Sequence, residues 1–390
     1  MQTVHAYTLP PDKYIQAVHY AQARHVLEFA GFAVSLLVLL AIIRLRIAPR
    51  LRHWHPVVFS AAIWILASVF DLPVDACRHF FSVHYGISIE SWPGWLVDWG
   101  KEQAISAVVA AMLIWPFYAL LRRKPRGWWI PVWLALLPLL VAGTFAGPLL
   151  IEPMFNRFEP LEKRHPDLVV QIERLLGRAG VSVPSGRIYE MDASARTTAL
   201  NAYVSGFGPS RRVVLYDTII RKENGPPLLT TFGHELGHYV LGHIEQGLGL
   251  AAALLLVALL ISEHAVRGAV RRWGQRLDLR SPEDRATLPL FLLLFLVLGF
   301  VAEPLSNAFS RRLEHEADVY SLEVTHGIVP DAAQAAAQAF QIEGETDLDP
   351  PDPSPLTVFW FYSHPPASDR LRFALDYDPW RDGRKPKYVP

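Results

Sequence analysis

The stretch GPPLLTTFGHELGHYVLGHIEQ, residues 225–246, decides how the rest of the chain is read. It opens on a Pro pair suited to a first helical turn and keeps helical spacing through Glu245. Within it, HELGH sets His234 and His238 four residues apart, on one helix face, where two imidazoles reach one tetrahedral ion. Glu235, beside the first histidine, can approach water at that ion without ligating. Downstream, GLGLAAALLLVALLIS (247–262) is apolar throughout, so the expectation is a metal-binding helix that continues into a membrane-length segment.

A third protein ligand is required. His at the sixth position after His238 is one solution, but that residue is Ile244, and His243 falls one place short. SRRLEHEAD (310–318) offers Glu314, with Asp318 one turn further on the same side. Asp318 could hydrogen-bond an imidazole or help pass a proton to a leaving amine. As a pattern alone this is also a solvated helix with i,i+4 charges, which suits His315 and Glu316.

Of the 390 residues 51% are hydrophobic, which points to a chain lying largely in lipid. Apolar runs near 27–43, 56–72, 104–121, 128–151, 246–262 and 286–305 make six expected spans, and the rival reading is a set of buried core helices. The N-terminus lacks the pattern of a cleaved signal, so the first run is expected to stay as an anchor. The 37 basic and 37 acidic residues cancel, and nothing in the overall charge points to nucleic acid. The single cysteine, Cys77, excludes both an internal disulfide and a thiolate cluster.

The polar stretch 152–245 reads as a small α+β unit. DLVVQIERLLGRAG is helical and ends on Gly180, GRIYEMD is strand-like, and the apolar runs of NAYVSGFGPSRRVVLYDTII flank a Gly-Pro-Ser turn as a hairpin. After the sixth span, SNAFSRRLEHEADVYSLEVTHG is expected as another helix stopping at Gly327, followed by AAQAAAQAFQIEGE as a helix and the Pro-rich loop DLDPPDPSPL. The chain is expected to divide into a membrane region, 1–151, and a metalloprotease region, 152–390. The expected class is mainly α: a polytopic membrane helical bundle with a small α+β zinc metalloprotease domain of gluzincin type.

PLLIEPMFNRFEPL (148–161), NAYVSGFGPSRRVVLYDTII (201–220), HELGHYVLGH (234–243), SRRLEHEAD and SHPPASDRL (363–371) follow one another in an order and spacing that resemble the type 1 CAAX prenyl protease family, from about residue 57 to 375. The resemblance implies one zinc held by His234, His238 and Glu314, with Glu235 as base and Asp318 beside them. It implies further that Asn201, Ala202 and Tyr203 belong to an edge strand on which substrate backbone adds. His364 and Arg370 fit the family's HPPxxxR element, assisting the oxyanion or orienting the acids. The expected substrate is a peptide or protein, lipidated or membrane-associated, with membrane lipids as the other partner.

Two other functions fit parts of the pattern: a quality-control protease of the HtpX type, and a non-proteolytic zinc-binding transporter or receptor. The side of the membrane is disputed between two arguments. The family places its catalytic domain in the cytoplasm. Arginine-rich loops follow the first, third and fifth spans, however, whereas the 73–103 loop has only Arg78 and Lys101, and the positive-inside rule then puts the catalytic domain outside.

Overall fold

The computed structural model describes residues 3–205, 211–381 and 383–389. All six apolar segments are helical, and every helix but that of the fourth segment runs past its segment at one end or both. α1 (Pro11–Arg44), a short α2 (Ile47–Leu51), α3 (Pro56–His84), α4 (Trp92–Arg123) and α5 (Trp129–Ala146) come first. The 34 residues of α1 extend about 50 Å against a hydrocarbon layer of about 30 Å, so one end stands clear of lipid. Leu37, Phe70 and Met112 point outward as lipid-facing side chains, while Phe59, Ile63, Tyr118 and Trp128 pack inward.

The polar region follows with β1 (Phe158–Pro160), α6 (Pro166–Arg178), β2 (Ile188–Met191), β3 (Ala202–Ser205), β4 (Arg212–Tyr216) and α7 (Asp217–Lys222). The sheet order is β1-β2-β4-β3, with β2 parallel to β4 and the other pairs antiparallel. The expected hairpin is β3–β4, in register Ala202 with Leu215, and its Gly208-Pro209-Ser210 turn lies outside the described residues. Tyr216 N donates to Asn201 O at 3.0 Å. By alternation Tyr203 and Ser205 also face β4, which turns the backbone groups of Ala202 and Val204 outward along the sheet edge.

The remaining helices are α8 (Pro226–Val240), α9 (His243–Leu277), α10 (Leu288–Thr325), α11 (Ala332–Asp347), α12 (Pro355–Phe361) and α13 (Ala367–Asp376). Two expectations need correction here. The metal helix does not run through Glu245: Gly242 adopts φ 68°, ends α8, and lets α9 start at His243 in a new direction. The helix expected after the sixth span is not separate either, since α10 runs uninterrupted for 38 residues with Pro304 inside it. Five helices among the described residues (α1, α3, α4, α9 and α10) have the length and hydropathy to cross a membrane, and α5 is a shorter apolar one.

α8 and α10 approach closely through Gly233 and Gly237. A Cβ on Gly237 would lie 3.1 Å from Tyr320 Cβ and 3.2 Å from Ala317 Cα, and one on Gly233 would lie 3.1 Å from Thr325 Cγ2. Ser321 Oγ donates to Thr230 O at 2.5 Å across the same seam.

The arginine-rich loops do gather at one end. Arg52 pairs with Asp278 at 2.9 Å and Asp284 at 3.3 Å, and Arg285 donates to Trp54 O at 3.2 Å. At the other end the α3–α4 loop joins the polar region, with Ile89 N donating to Arg196 O at 2.9 Å. Both terminal segments dock there too. Gln334 and Gln341 of α11 bind the backbones of Val4 and Thr8, each through donor and acceptor, at 2.7–3.1 Å. The fully buried Glu323 accepts the N–H groups of Lys387, Tyr388 and Val389.

Overpacking the helix seam is expected to cost about 1–3 kcal/mol. Gly237→Val should therefore lower the thermal unfolding midpoint in detergent and reduce bound metal. An unchanged midpoint with full metal content would show that the close approach is not needed.

Candidate metal centre

Each helix contributes a part that its local sequence dictates. The 3.6-residue period of α8 stacks His234 over His238, and the glycine seam brings Glu314 of α10 against both. His234 Nε2 lies 3.1 Å from Glu314 Oε2 and 3.0 Å from His238 Nε2, which in turn lies 3.4 Å from Glu314 Oε1. These are the three residues whose ligand atoms converge among the described residues. A tetrahedral ion with bonds of about 2.0–2.1 Å spaces its ligands about 3.3 Å apart, so the donor set fits one.

The tautomers agree with that fit. His234 Nδ1 faces Asp318 Oδ1 at 2.8 Å and so carries the proton, which leaves a lone pair on Nε2. His238 Nδ1 faces His243 Nδ1 at 2.9 Å, and His243 Nε2 faces Glu316 Oε2 at 3.5 Å. With His243 protonated toward Glu316, His238 protonates toward His243 and its Nε2 also points a lone pair inward. Two lone pairs 3.0 Å apart beside a carboxylate repel one another, and a cation between them removes the conflict.

Asp318 is 2% exposed and held by both arms of Arg370, at 3.0 Å and 2.7 Å. Arg370, on α13, lies over the Phe340 ring at 4.2 Å and 3.8 Å from Glu343 Oε2. His364, on the loop before α13, is 3.4 Å from Glu314 Oε1, with Ser363 Oγ at 3.0 Å from its Nδ1.

A cavity of about 530 Å³ opens on this constellation. His234, Glu235, Asn201, Ala202, His364 and Arg370 line it. Burial raises the Glu235 carboxyl above its ordinary value, as the flanking carboxylates Glu314 and Glu343 do in part. Tyr203 contributes backbone to the edge strand, but its ring turns to the opposite face of the sheet, where its hydroxyl donates to Glu152. His243, Glu316 and Glu343 escaped the sequence reading as site residues. Only the HYVLGH glycine hinted that His243 turns back toward His238.

Residues 162–378 match the family model for peptidase family M48, more than half of the chain. The chain belongs to peptidase family M48. Residues 3–157 match a second model, the CAAX prenyl protease N-terminal region with five membrane helices. The Bacillus subtilis metalloprotease YhfN is 30% identical over 376 residues, covering 94% of this chain and 86% of that protein. The CAAX prenyl protease 1 of Saccharomyces cerevisiae is 26% identical over 337 residues, 82% of this chain and 71% of that one. A crystal structure of Ste24p from S. mikatae has the same fold, with a TM-score of 0.81 at 21% identity over 95% of this chain and 90% of that one. This M48 peptidase is thus a multi-pass membrane metalloprotease that acts on peptides or proteins. The family resemblance and the helical-bundle class both hold, and the transporter or receptor reading is set aside.

Removing Arg370 would leave a buried, half-paired Asp318 behind His234. In this M48 peptidase Arg370→Leu is expected to weaken metal affinity about 10–100-fold. Metal titration by competition with a chelating dye measures it, and unaltered affinity would mean that Asp318 holds His234 unaided.

Proposed function

We propose that this membrane peptidase hydrolyses a peptide bond in a segment laid along β3, with one zinc held by His234, His238 and Glu314 and with Glu235 as general base. One observation carries the reading: His234, which converges with His238 and Glu314, lines a single cavity together with the base Glu235 and with Asn201 and Ala202 of the open strand edge. Two imidazoles and a carboxylate suit zinc with a fourth position left open. Bound there, zinc supplies Lewis acidity, which acidifies water and polarises the scissile carbonyl.

The remaining work falls to the chain itself. The outward N–H and C=O of Ala202 pair with the substrate backbone, and Asn201 flanks that contact. Glu235 takes a proton from water and holds it for the leaving nitrogen, a role favoured by a carboxyl whose pKa burial has raised. His364 donates toward the developing oxyanion. Asp318 and Arg370 fix the ring of His234, and the enclosure of Asp318 makes it an orienting group instead of a proton carrier.

The substrate is a lipidated or membrane-associated protein. In support, α1 lines the cavity through Tyr20, Ala21, Arg24 and His25, so the site borders the bilayer-spanning part. The N-terminal match favours a prenyl protease over a quality-control enzyme of HtpX type. The two family matches, 3–157 and 162–378, support a division into two regions, with the junction between 157 and 162, a few residues past the expected 151.

Purified protein is expected to carry about one zinc per chain, lost in His234→Ala and Glu314→Ala. Glu235→Gln should keep the metal and lose nearly all hydrolysis. Undiminished zinc in the alanine variants would overturn the ligand set, and near-normal turnover in Glu235→Gln would overturn the base.

The loop charges support a protease region on the non-cytoplasmic side. With Cys77 replaced by Ser, an impermeant maleimide applied to intact cells is expected to label Lys163→Cys and not Gln275→Cys. The reverse pattern would place the protease region in the cytoplasm.

A further inference from the structure

The cavity at the metal centre continues well past the metal ligands. α11 presents Ala336, Phe340, Glu343 and Asp347 to it, a stripe at helical spacing. Glu343 marks the near end through its approach to Arg370. Asp347 lies one turn further, about 6 Å along the axis. Asp347 and Asp349 line the cavity together with Tyr20, Ala21 and Arg24 of α1.

The charges at this end do not balance. Asp347 Oδ1 is a buried oxygen with no hydrogen-bond partner. Such an acceptor is costly unless something donates to it. Burial, and then Asp349 and Glu343, push the Asp347 carboxyl up to about 8. Arg24 opposes them only in part, its guanidinium lying 5.6 Å from the centroid of the Tyr20 ring. Arg370 is committed to Asp318. Among the described residues no donor, Arg24 included, reaches Asp347 Oδ1.

We propose that this far end is a subsite for a cationic group of the substrate peptide, a lysine or arginine side chain or a free amino-terminus, accepted by Asp347 and Asp349. The proposal rests on the peptidase reading above. At about 3.3 Å per residue of extended chain, the distance from the metal end corresponds to no more than about four residues from the scissile bond.

The test uses the full-length, zinc-loaded enzyme and internally quenched peptides. In one series a single lysine is walked through four positions on each side of the cleaved bond of an N-acetylated peptide, with norleucine controls. A matched peptide carries a free amino-terminus. Lysine is expected to exceed norleucine about tenfold in kcat/KM at one position, or else acetylation of the free terminus costs that factor, which identifies the source of the cation. The ratio should fall to within about twofold in Asp347→Asn and in Asp349→Asn, and return in Asp347→Glu. Equal rates at every position with no effect of acetylation would overturn the proposal, as would a preference unchanged in both asparagine variants. If wild-type enzyme cleaves none of the peptides, the peptidase reading fails instead. The lysine-to-norleucine ratio is then read as binding affinity to Glu235→Gln protein by fluorescence anisotropy, with the same outcomes deciding.

Discussion

The contact on which the rest depends is the approach of α8 to α10 across Gly233 and Gly237. A Cβ at either glycine would meet atoms of α10 at 3.1–3.2 Å, so the seam would have to open by a few tenths of an ångström. A separation of that size matters little to an apolar core but decides whether Glu314 reaches His234 and His238. Ligand atoms 3.0–3.4 Å apart leave no slack. The two glycines thus belong to the metal centre although neither touches it. Because α10 is also a membrane span, the position of Glu314 is tied to the packing of the helical bundle.

Around the three ligands stand two chains of polar side chains, hydrogen-bonded next to the ligands and ending in looser approaches to carboxylates at 3.5 Å and 3.8 Å. One runs from His234 through Asp318 and Arg370 toward Glu343, the other from His238 through His243 to Glu316. Each fixes a ring and a tautomer, and each draws on a different helix. The site is rigid because α8, α9, α10, α11 and α13 all have a hand in it. The cavity, by contrast, is bordered by an open strand edge and by α1, the parts a substrate can reach.

What the sequence made legible was local. Helical period alone puts His234 and His238 on one face, alternation and the turn mark β3 and β4, and length marks the apolar spans. The breaks were harder to see. Gly242 inside a good helical pattern looks tolerable until its left-handed backbone is known, and Pro304 looks like a boundary although lipid-embedded helices absorb a proline. His243, Glu316 and Glu343 look like ordinary polar residues, since their partners come from other helices. The ring of Tyr203 turned away because a strand pattern shows that faces alternate and not which face meets the cavity.

The clasp of Val4 and Thr8 by Gln334 and Gln341 carries a topological consequence. A chain whose first residues and whose protease region touch one another must leave that compartment and return to it before residue 152. The number of crossings in between is therefore even, however the ends of individual helices are drawn. Arg178 of α6, donating to His326 O just past α10, imposes the same parity on the second half of the molecule. Gaining or losing a single crossing in either half would break the corresponding contact, so crossings in this architecture can be added or removed only in pairs or at the expense of that contact.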